Sequence, residues 1–379
     1  MDYTYKRNYI SEDYEDKNDP YMTIVDKAIV LPAIPDNTLP WGKGGVLDSF
    51  ENFVEESRLD DAFGAKYDYE KKELILRDES VICISIIPKH WGHILIDVLS
   101  KMWWITDSSI PHDIKIVFCG LDWDGKLEGV YKEVFDLMGI APERMLHIQK
   151  PTLFRRVYLP SRTLGFKHKW NSSYLIPIQV IINGANKKVT STMPISKVYF
   201  SREQFRDAQK KEIGENEISK VFEDNDYTVI FPEKLSLAEQ IFIYNHCDDW
   251  VCISGSLAHN IVFSKKDVKV TILNRTYLSN PPQLRINQMM KRSIVQVDVF
   301  SKSEINKKNG YRAKDNRIVH ILGVNNFLIK YLQDRGMLYS KDYNSFVARF
   351  GKRMKWMFLC GRQFLGEIKY RINVAMKQA

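Results

Sequence analysis

Residues 197–264 read KVYFSREQFRDAQKKEIGENEISKVFEDNDYTVIFPEKLSLAEQIFIYNHCDDWVCISGSLAHNIVFS. Three short runs rich in β-branched and aromatic residues, KVYFSR, YTVIF and WVCISG, read as strands. Between them NEISKVFED and SLAEQIFIYNHC carry helical periodicity, and Ser236 stands three residues before Glu239, the pattern of a capping box. SLAHNIVFS is a shorter helix. The alternation runs on through VKVTIL (strand), PPQLRINQMMK (helix), SIVQVDV (strand) and VNNFLIKYLQDRG, a helix stopped by Gly336. Five strands, each followed by a helix, predict a Rossmann-like parallel sheet.

Upstream the same alternation is looser. VICISII (81–87), IKIVFCG (114–120) and RMLHIQ (144–149) read as strands, and HWGHILIDVLSKMWWI (90–105) and GKLEGVYKEVFDLMGI (125–140) as helices. Before them, Tyr21 to Leu76 holds short strand-like pieces ending in YDYEKKELILRD, which reads as a hairpin, and the stretch from Pro151 to Pro194 is less regular. The fold class expected is α/β, with two Rossmann-like parallel-sheet domains facing a cleft and a basic helical tail. The expected boundaries are a flexible segment 1–20, an α/β domain 21–190, a Rossmann-like domain 191–338 and a tail 339–379.

The chain has 379 residues, 44% hydrophobic and 27% charged, which suits two globular domains and excludes a fibrous or disordered chain. No run approaches the roughly 20 apolar residues of a membrane span. The polar, acidic N-terminus is read as carrying no secretory signal. Five cysteines without a CxxC suit a reducing, cytoplasmic compartment. The net charge of +8 raises nucleic-acid binding as an alternative. From Arg349 onward, however, eight basic residues face one acid, Glu367, so the charge belongs to the tail and the body is near neutral. The tail interleaves Arg349, Lys352, Arg353 and Lys355 with Phe350, Met354, Trp356 and Phe358, as an interfacial helix on anionic lipid would. The alternative is a closing helix packed on the fold.

In open parallel sheets ligands bind beyond the carboxyl ends of strands, so the strand-to-helix turns hold the candidate site. Ser201-Arg202 follows the first strand of the second half, where a guanidinium can clamp phosphate. Gly255-Ser256 follows the third, with His259 and Asn260 on the next helical turn; glycine permits close approach and the exposed N–H groups favour an anion. In the first half His93 and Asp97 are four residues apart and share a helix face, a spacing that suits either a general base with its carboxylate or a buried histidine with its partner. His90 lies three residues before His93, which leaves metal ligation as a further reading of the histidines. Asp122-Trp123-Asp124 has the Asp-x-Asp form that holds a metal and a sugar-nucleotide diphosphate in one class of glycosyltransferases.

HWGHILIDVLSKMWW resembles the HWGH-x-L-x-[DE]-x-L-x-[KR]-x-W block of bacterial family 61 glycosyltransferases found among capsular polysaccharide biosynthesis proteins, and residues 197–263 resemble that family's C-terminal half. The likeness runs roughly from Ile24 to Leu273 and includes Ser201-Arg202, Asn216-Glu217, Pro232-Glu233, Gly255-Ser256 and His259-Asn260. The resemblance implies a GT-B fold and inverting transfer from a nucleotide sugar, mostly UDP-linked, to a hydroxyl of a growing, lipid-linked glycan, with no cofactor and no obligatory divalent metal. It places His93 and Asp97 as base and orienting acid, with His90 and Trp91 on the acceptor side. Ser201, Arg202, Asn216, Glu217, Gly255, Ser256, His259 and Asn260 fall on the donor-nucleotide side. The expected setting is the inner face of the cell membrane, with Arg349, Lys352, Arg353, Lys355 and Trp356 on the lipid. The rival is a catalytically inactive scaffold of a polysaccharide assembly.

Overall fold

The computed structural model describes residues 14–165, 169–189, 195–276, 280–291, 294–301 and 319–361. The first sheet has six strands: Met22–Ile34 (β1), Lys43–Leu47 (β2), Ile75–Ile86 (β3), Lys115–Cys119 (β4), Met145–His147 (β5) and Thr152–Pro160 (β6). Their order is β2-β1-β6-β3-β4-β5. β6, β3, β4 and β5 run parallel, and β1 pairs antiparallel with β2 and β6.

Three expectations are corrected here. The hairpin expected at 67–78 is absent: Lys71–Glu73 forms a single 3-10 turn, and Ile75 onward belongs to the long strand β3. Apolar Ile75 and Leu76 pair with Thr152 and Leu153 of β6 rather than with their own upstream neighbours. The stretch from 151, which shows little periodicity, supplies a central strand (β6) and the helix Leu175–Lys188. The adjacent Arg155 and Arg156, both reaching solvent at mid-strand, interrupt the apolar run that would reveal the strand. Within the segment expected to be loose at the N-terminus, Tyr14–Glu15 pairs in parallel with Lys169–Trp170.

The second sheet follows the pattern read from its sequence: Lys197–Phe200 (β7), Thr228–Ile230 (β8), Asp249–Ile253 (β9), Lys269–Asn274 (β10) and Ile294–Asp298 (β11), all parallel, in the order β8-β7-β9-β10-β11. Helices Gly129–Leu137 (α1), Leu175–Lys188 (α2), Glu215–Glu223 (α3), Leu237–His246 (α4), Pro281–Met290 (α5) and Asn326–Asp334 (α6) cover the two sheets. The capping box forms at α4, with Ser236 accepting from the Glu239 N–H and Glu239 accepting from the Ser236 N–H. Gly336 closes the chain after α6 at φ +65°.

A single apolar cluster runs through both halves, from Ile82 and Leu95 past Ile181 in α2 to Ile241 in α4 and Trp250 in β9. α2 packs on α4, so the two sheets share a core while their strand ends converge on one edge. Each large side chain buried there contributes roughly 1.5–3 kcal/mol. A smaller cluster holds α3 and α6 to the opposite face of the second sheet.

Helix is also present at 346–361, and residues beyond it lie outside the described part of the chain. It is the inner part of the basic tail, and two of the five residues expected on lipid point inward. Trp356 is buried, packs with Ile213, Val319 and Ile321, and donates its indole N–H to the Val319 carbonyl at 3.0 Å. The ammonium of Lys352 pairs with Glu217. Arg349, Arg353 and Lys355 stay exposed.

Candidate active site

The order β8-β7-β9 makes the β7/β9 neighbours the switch point of the second sheet, the place where an open parallel sheet leaves a crevice at its carboxyl edge. Ser201 and Arg202 follow β7, Gly255 and Ser256 follow β9, and Arg275 follows β10. A cavity of about 670 Å³ opens here, with Arg202, Ser256, Asn260, Arg275 and His320 on one wall and Lys89, His90, Trp91 and Tyr131 on the other. Its size lies within the range of pockets that enclose small ligands.

The far wall is electropositive by construction. Glu212 is almost fully buried and its Oε1 lies 3.2 Å from Arg202 Nη1 and 2.5 Å from Arg275 Nη1. Two guanidiniums therefore share one carboxylate. Glu215, at the start of α3, accepts the Arg202 backbone N–H at 2.8 Å and the Tyr199 hydroxyl at 3.2 Å. Burial, and then the charge of Glu212, push its pKa up to about 8, so it is neutral at pH 7 and cancels no further positive charge. Burial and the charge of Arg275 push His320 down to about 4. What remains around Glu212 is two partly exposed guanidiniums on one ionised carboxylate, with Asp207 and Glu233 further along the cavity lining.

Gly255 makes this packing possible. Its φ is +139°, and a Cβ there would sit 3.0 Å from Arg202 Nη1 and 3.4 Å from Arg275 Nη2. Both guanidiniums thus lie over bare backbone. The helix that follows, Ser256–His259, is only four residues long, so its N–H groups carry less partial charge than the sequence reading expected.

The near wall comes from the HWGH segment, which is not the continuous α-helix its periodicity predicts. Trp91–His93 makes one α turn, Ile94–Val98 a π turn and Leu99–Lys101 a 3-10 turn. Such π turns recur at functional sites because they re-aim side chains. His93 and Asp97 meet as expected: Nδ1 lies 2.7 Å from Asp97 Oδ2. The other carboxylate oxygen of Asp97 takes Arg162 Nη2 at 2.5 Å, and Arg162 also binds Asp60 at 2.7 Å. Asp97 is thereby held by two partners while buried. The His93 Nδ1–H donates to it, which leaves Nε2 as the basic nitrogen. The His93 ring packs edge-on against Trp41 at 4.3 Å and lies 4.9 Å from the His90 ring. His90 lines the cavity, whereas His93 is not among its lining residues and reaches it only through the neighbouring His90 ring. Desolvation and the neighbouring His93 lower the pKa of His90.

Beneath the dyad, Lys101 is fully buried and donates to Ser85 Oγ at 2.6 Å; burial pulls its pKa down to about 8. Ser85 holds φ +69° where the β3/β4 register shifts. Trp104 is buried in the core and Trp103 half-buried against it, donating to the Lys101 and Ser161 carbonyls respectively.

The two walls touch. Trp91 Nε1–H donates to Asn260 Oδ1 at 2.8 Å, and a Cβ on Gly92 would lie 2.9 Å from Ser256 Oγ. Asn260 is accordingly a cross-tie; its amide also donates to the Tyr244 hydroxyl at 3.1 Å. His259 is buried behind the wall, with Nδ1–H donating to Gln283 Oε1 at 2.7 Å. Burial pulls its pKa to about 4, so it is a neutral ring with Nε2 as acceptor, unsuited to donating to a phosphate.

Asn216 and Glu217 are not on the cavity wall. Asn216 is exposed and Glu217 pairs with Lys352 on the back of α3. The residues of this segment that serve the site are Glu212 and Glu215, because Gly214, at φ +97°, turns α3 so that Glu215 faces Arg202. Asp122 and Asp124 are exposed on either side of Trp123, which is buried and donates to the Ile87 carbonyl at 2.7 Å. Sequence reading missed Arg162, Glu212, Glu215 and Arg275.

No curated protein matches the chain. The family model described as Glycosyltransferase 61 matches residues 91–271, from Trp91 on one wall of the cavity to Thr271 in β10 beneath the other, and this match supports a glycosyltransferase.

Proposed function

We propose that the chain transfers a sugar, with inversion, from a nucleotide diphosphate donor, UDP-linked in the first instance, to a hydroxyl of a lipid-linked surface glycan. In this reading the fold is GT-B-like, and the tail keeps the protein on the cytoplasmic face of a membrane. The observation that carries it is the pairing of Arg202 and Arg275 over Gly255 at the switch point, opposite the His90–Trp91 wall. Planar, half-buried guanidiniums held in place by Glu212 suit a leaving diphosphate.

The reaction is a single displacement. The acceptor hydroxyl binds beside His90 and gives its proton to His93 Nε2, and its oxygen forms the new bond to the anomeric carbon. On the opposite face the bond from that carbon to the diphosphate oxygen breaks, and the electron pair leaves with the nucleotide. Asp97 holds the ring tautomer and offsets the imidazolium that forms. Arg202 and Arg275 offset the charge that grows on the diphosphate. No divalent metal is required in this scheme, so EDTA leaves the rate unchanged.

A thermal-shift and turnover screen with UDP-, GDP- and CMP-sugars, each beside its free nucleotide, tests the reading. A rise in melting temperature with one nucleotide, and sugar transfer from its conjugate, is the expected result. The absence of both for every nucleotide would leave a catalytically inactive scaffold.

A further inference from the structure

Helix 346–361 has one docked side and one bare side. Trp356 is 3% exposed, while Phe346 is 74%, Phe350 54%, Met354 48% and Phe358 68% exposed. Those four recur every fourth residue and form one row along the helix. Exposed Arg349, Arg353 and Lys355 flank the row. Under the first half of the helix lies a second cavity, of about 440 Å³, that shares no lining residue with the first. Phe346, Arg349, Phe350, Lys352 and Arg353 form its helix side, and residues 323–325 line part of the rest. Among the described residues its lining brings Arg349 and Arg353 and no carboxylate, besides Lys352, whose charge is met by Glu217 just outside the lining.

We infer that this second cavity is a headgroup site for an anionic phospholipid, with the bare apolar row lying in the acyl layer beside it. A phosphate matches the guanidinium fork, and phenyl rings at the rim match the boundary between headgroup and chain. The charge selects this occupant over a second copy of the chain, which would bring the same cations against themselves. No described helix is long and apolar enough to cross a membrane, which suits a helix lying in the interface. The inference rests on the membrane placement proposed above and adds to it a specific site. It also alters which residues serve: Trp356 and Lys352 fasten the helix to the body, and Phe346, Phe350, Met354 and Phe358 enter the lipid.

The test is flotation of the full chain with vesicles of pure phosphatidylcholine and of phosphatidylcholine mixed with phosphatidylglycerol, without nucleotide sugar. Binding to the mixed vesicles alone is expected. Neutralising one surface cation by Lys355→Gln should weaken it by about five-fold or less. Arg349→Gln or Arg353→Gln, each removing a direct phosphate contact, should weaken it by about ten-fold or more. Phe350→Ser with Phe358→Ser should abolish it while melting stays cooperative. Equal losses for the three single variants would reduce the effect to general electrostatics and overturn the site. So would equal binding to pure phosphatidylcholine, or competition by millimolar inorganic phosphate as strong as that by the mixed vesicles. A dimer in light scattering that the paired phenylalanine variant dissolves would assign the row to a second copy. Because binding is read without turnover, a chain that floats but transfers no sugar loses only the catalytic reading. One that glycosylates a soluble acceptor and ignores both vesicles loses this inference and the membrane placement, and keeps the catalytic reading.

Discussion

The indole of Trp91 donates to the side chain of Asn260 at 2.8 Å, across 169 residues of sequence, and so fixes the distance between the two walls of the cavity. Asn260 is itself oriented by Tyr244. Trp91→Phe keeps the packing and leaves a partly buried carbonyl unsatisfied, at a cost of about 1–3 kcal/mol. In a displacement that needs both walls aligned, turnover should fall by roughly ten-fold or more. Nucleotide affinity measured by calorimetry should stay nearly unchanged, because the guanidinium wall is intact. Equal losses in binding and turnover would mean that the bond supports the fold and not the spacing.

His93→Ala removes the proposed base and should lower turnover by about 10²–10⁴-fold with donor binding retained. His90→Ala should act chiefly on the acceptor KM, since His90 lines the cavity and lacks the carboxylate that His93 has. If the histidines exchange these effects, His90 is the base. Arg162→Met strips one of the two partners from buried Asp97 and should cost about 3–5 kcal/mol of stability, read in chemical denaturation.

The second sheet was legible from residues 197–336 because every strand there is short, apolar and closed by a helix whose start or stop is written in the chain: Ser236 with Glu239, and Gly336. β6 was not, since Arg155 and Arg156 break its apolar pattern at mid-strand. The His93–Asp97 pair could be read from spacing alone, as i,i+4 neighbours meet in an α turn and in the π turn that replaces it. Arg162 could not, because its partners Asp60 and Asp97 lie 102 and 65 residues away. The acid sites near Arg202 were misjudged by two to five residues: the resemblance pointed to Asn216-Glu217, whereas the left-handed turn at Gly214 presents Glu215 and Glu212.

Arg202→Ala should raise the dissociation constant of the preferred nucleotide by roughly 10–100-fold, the equivalent of one lost charged hydrogen bond. Arg202→Lys keeps the charge but not the fork and should recover only part of the affinity. Arg275→Ala should give a similar loss, because both side chains share Glu212 over Gly255. Calorimetry at two salt concentrations reads both effects; unchanged affinity in either variant would remove that guanidinium from the clamp.

Glu215 gives the site a pH dependence whose sign can be worked out. Its pKa is about 8 in the folded chain, where burial and Glu212 raise it, against an ordinary value of 4.5. Between those values the folded state keeps a proton that the unfolded state has released. Its contribution to stability is therefore full below about pH 4.5, declines as pH rises, and is lost above about pH 8. Glu215→Gln mimics the protonated acid. Its unfolding free energy, read by chemical denaturation, should match the parent's near pH 5 and exceed it near pH 9 by an amount on the order of a few kcal/mol. The same ionisation would place a second carboxylate beside Arg202, so nucleotide affinity should drop in the parent as pH passes about 8 and hold in the variant. If the two unfolding free energies keep a constant separation across that range, Glu215 is already ionised at neutral pH and the positive corner is weaker than the geometry requires.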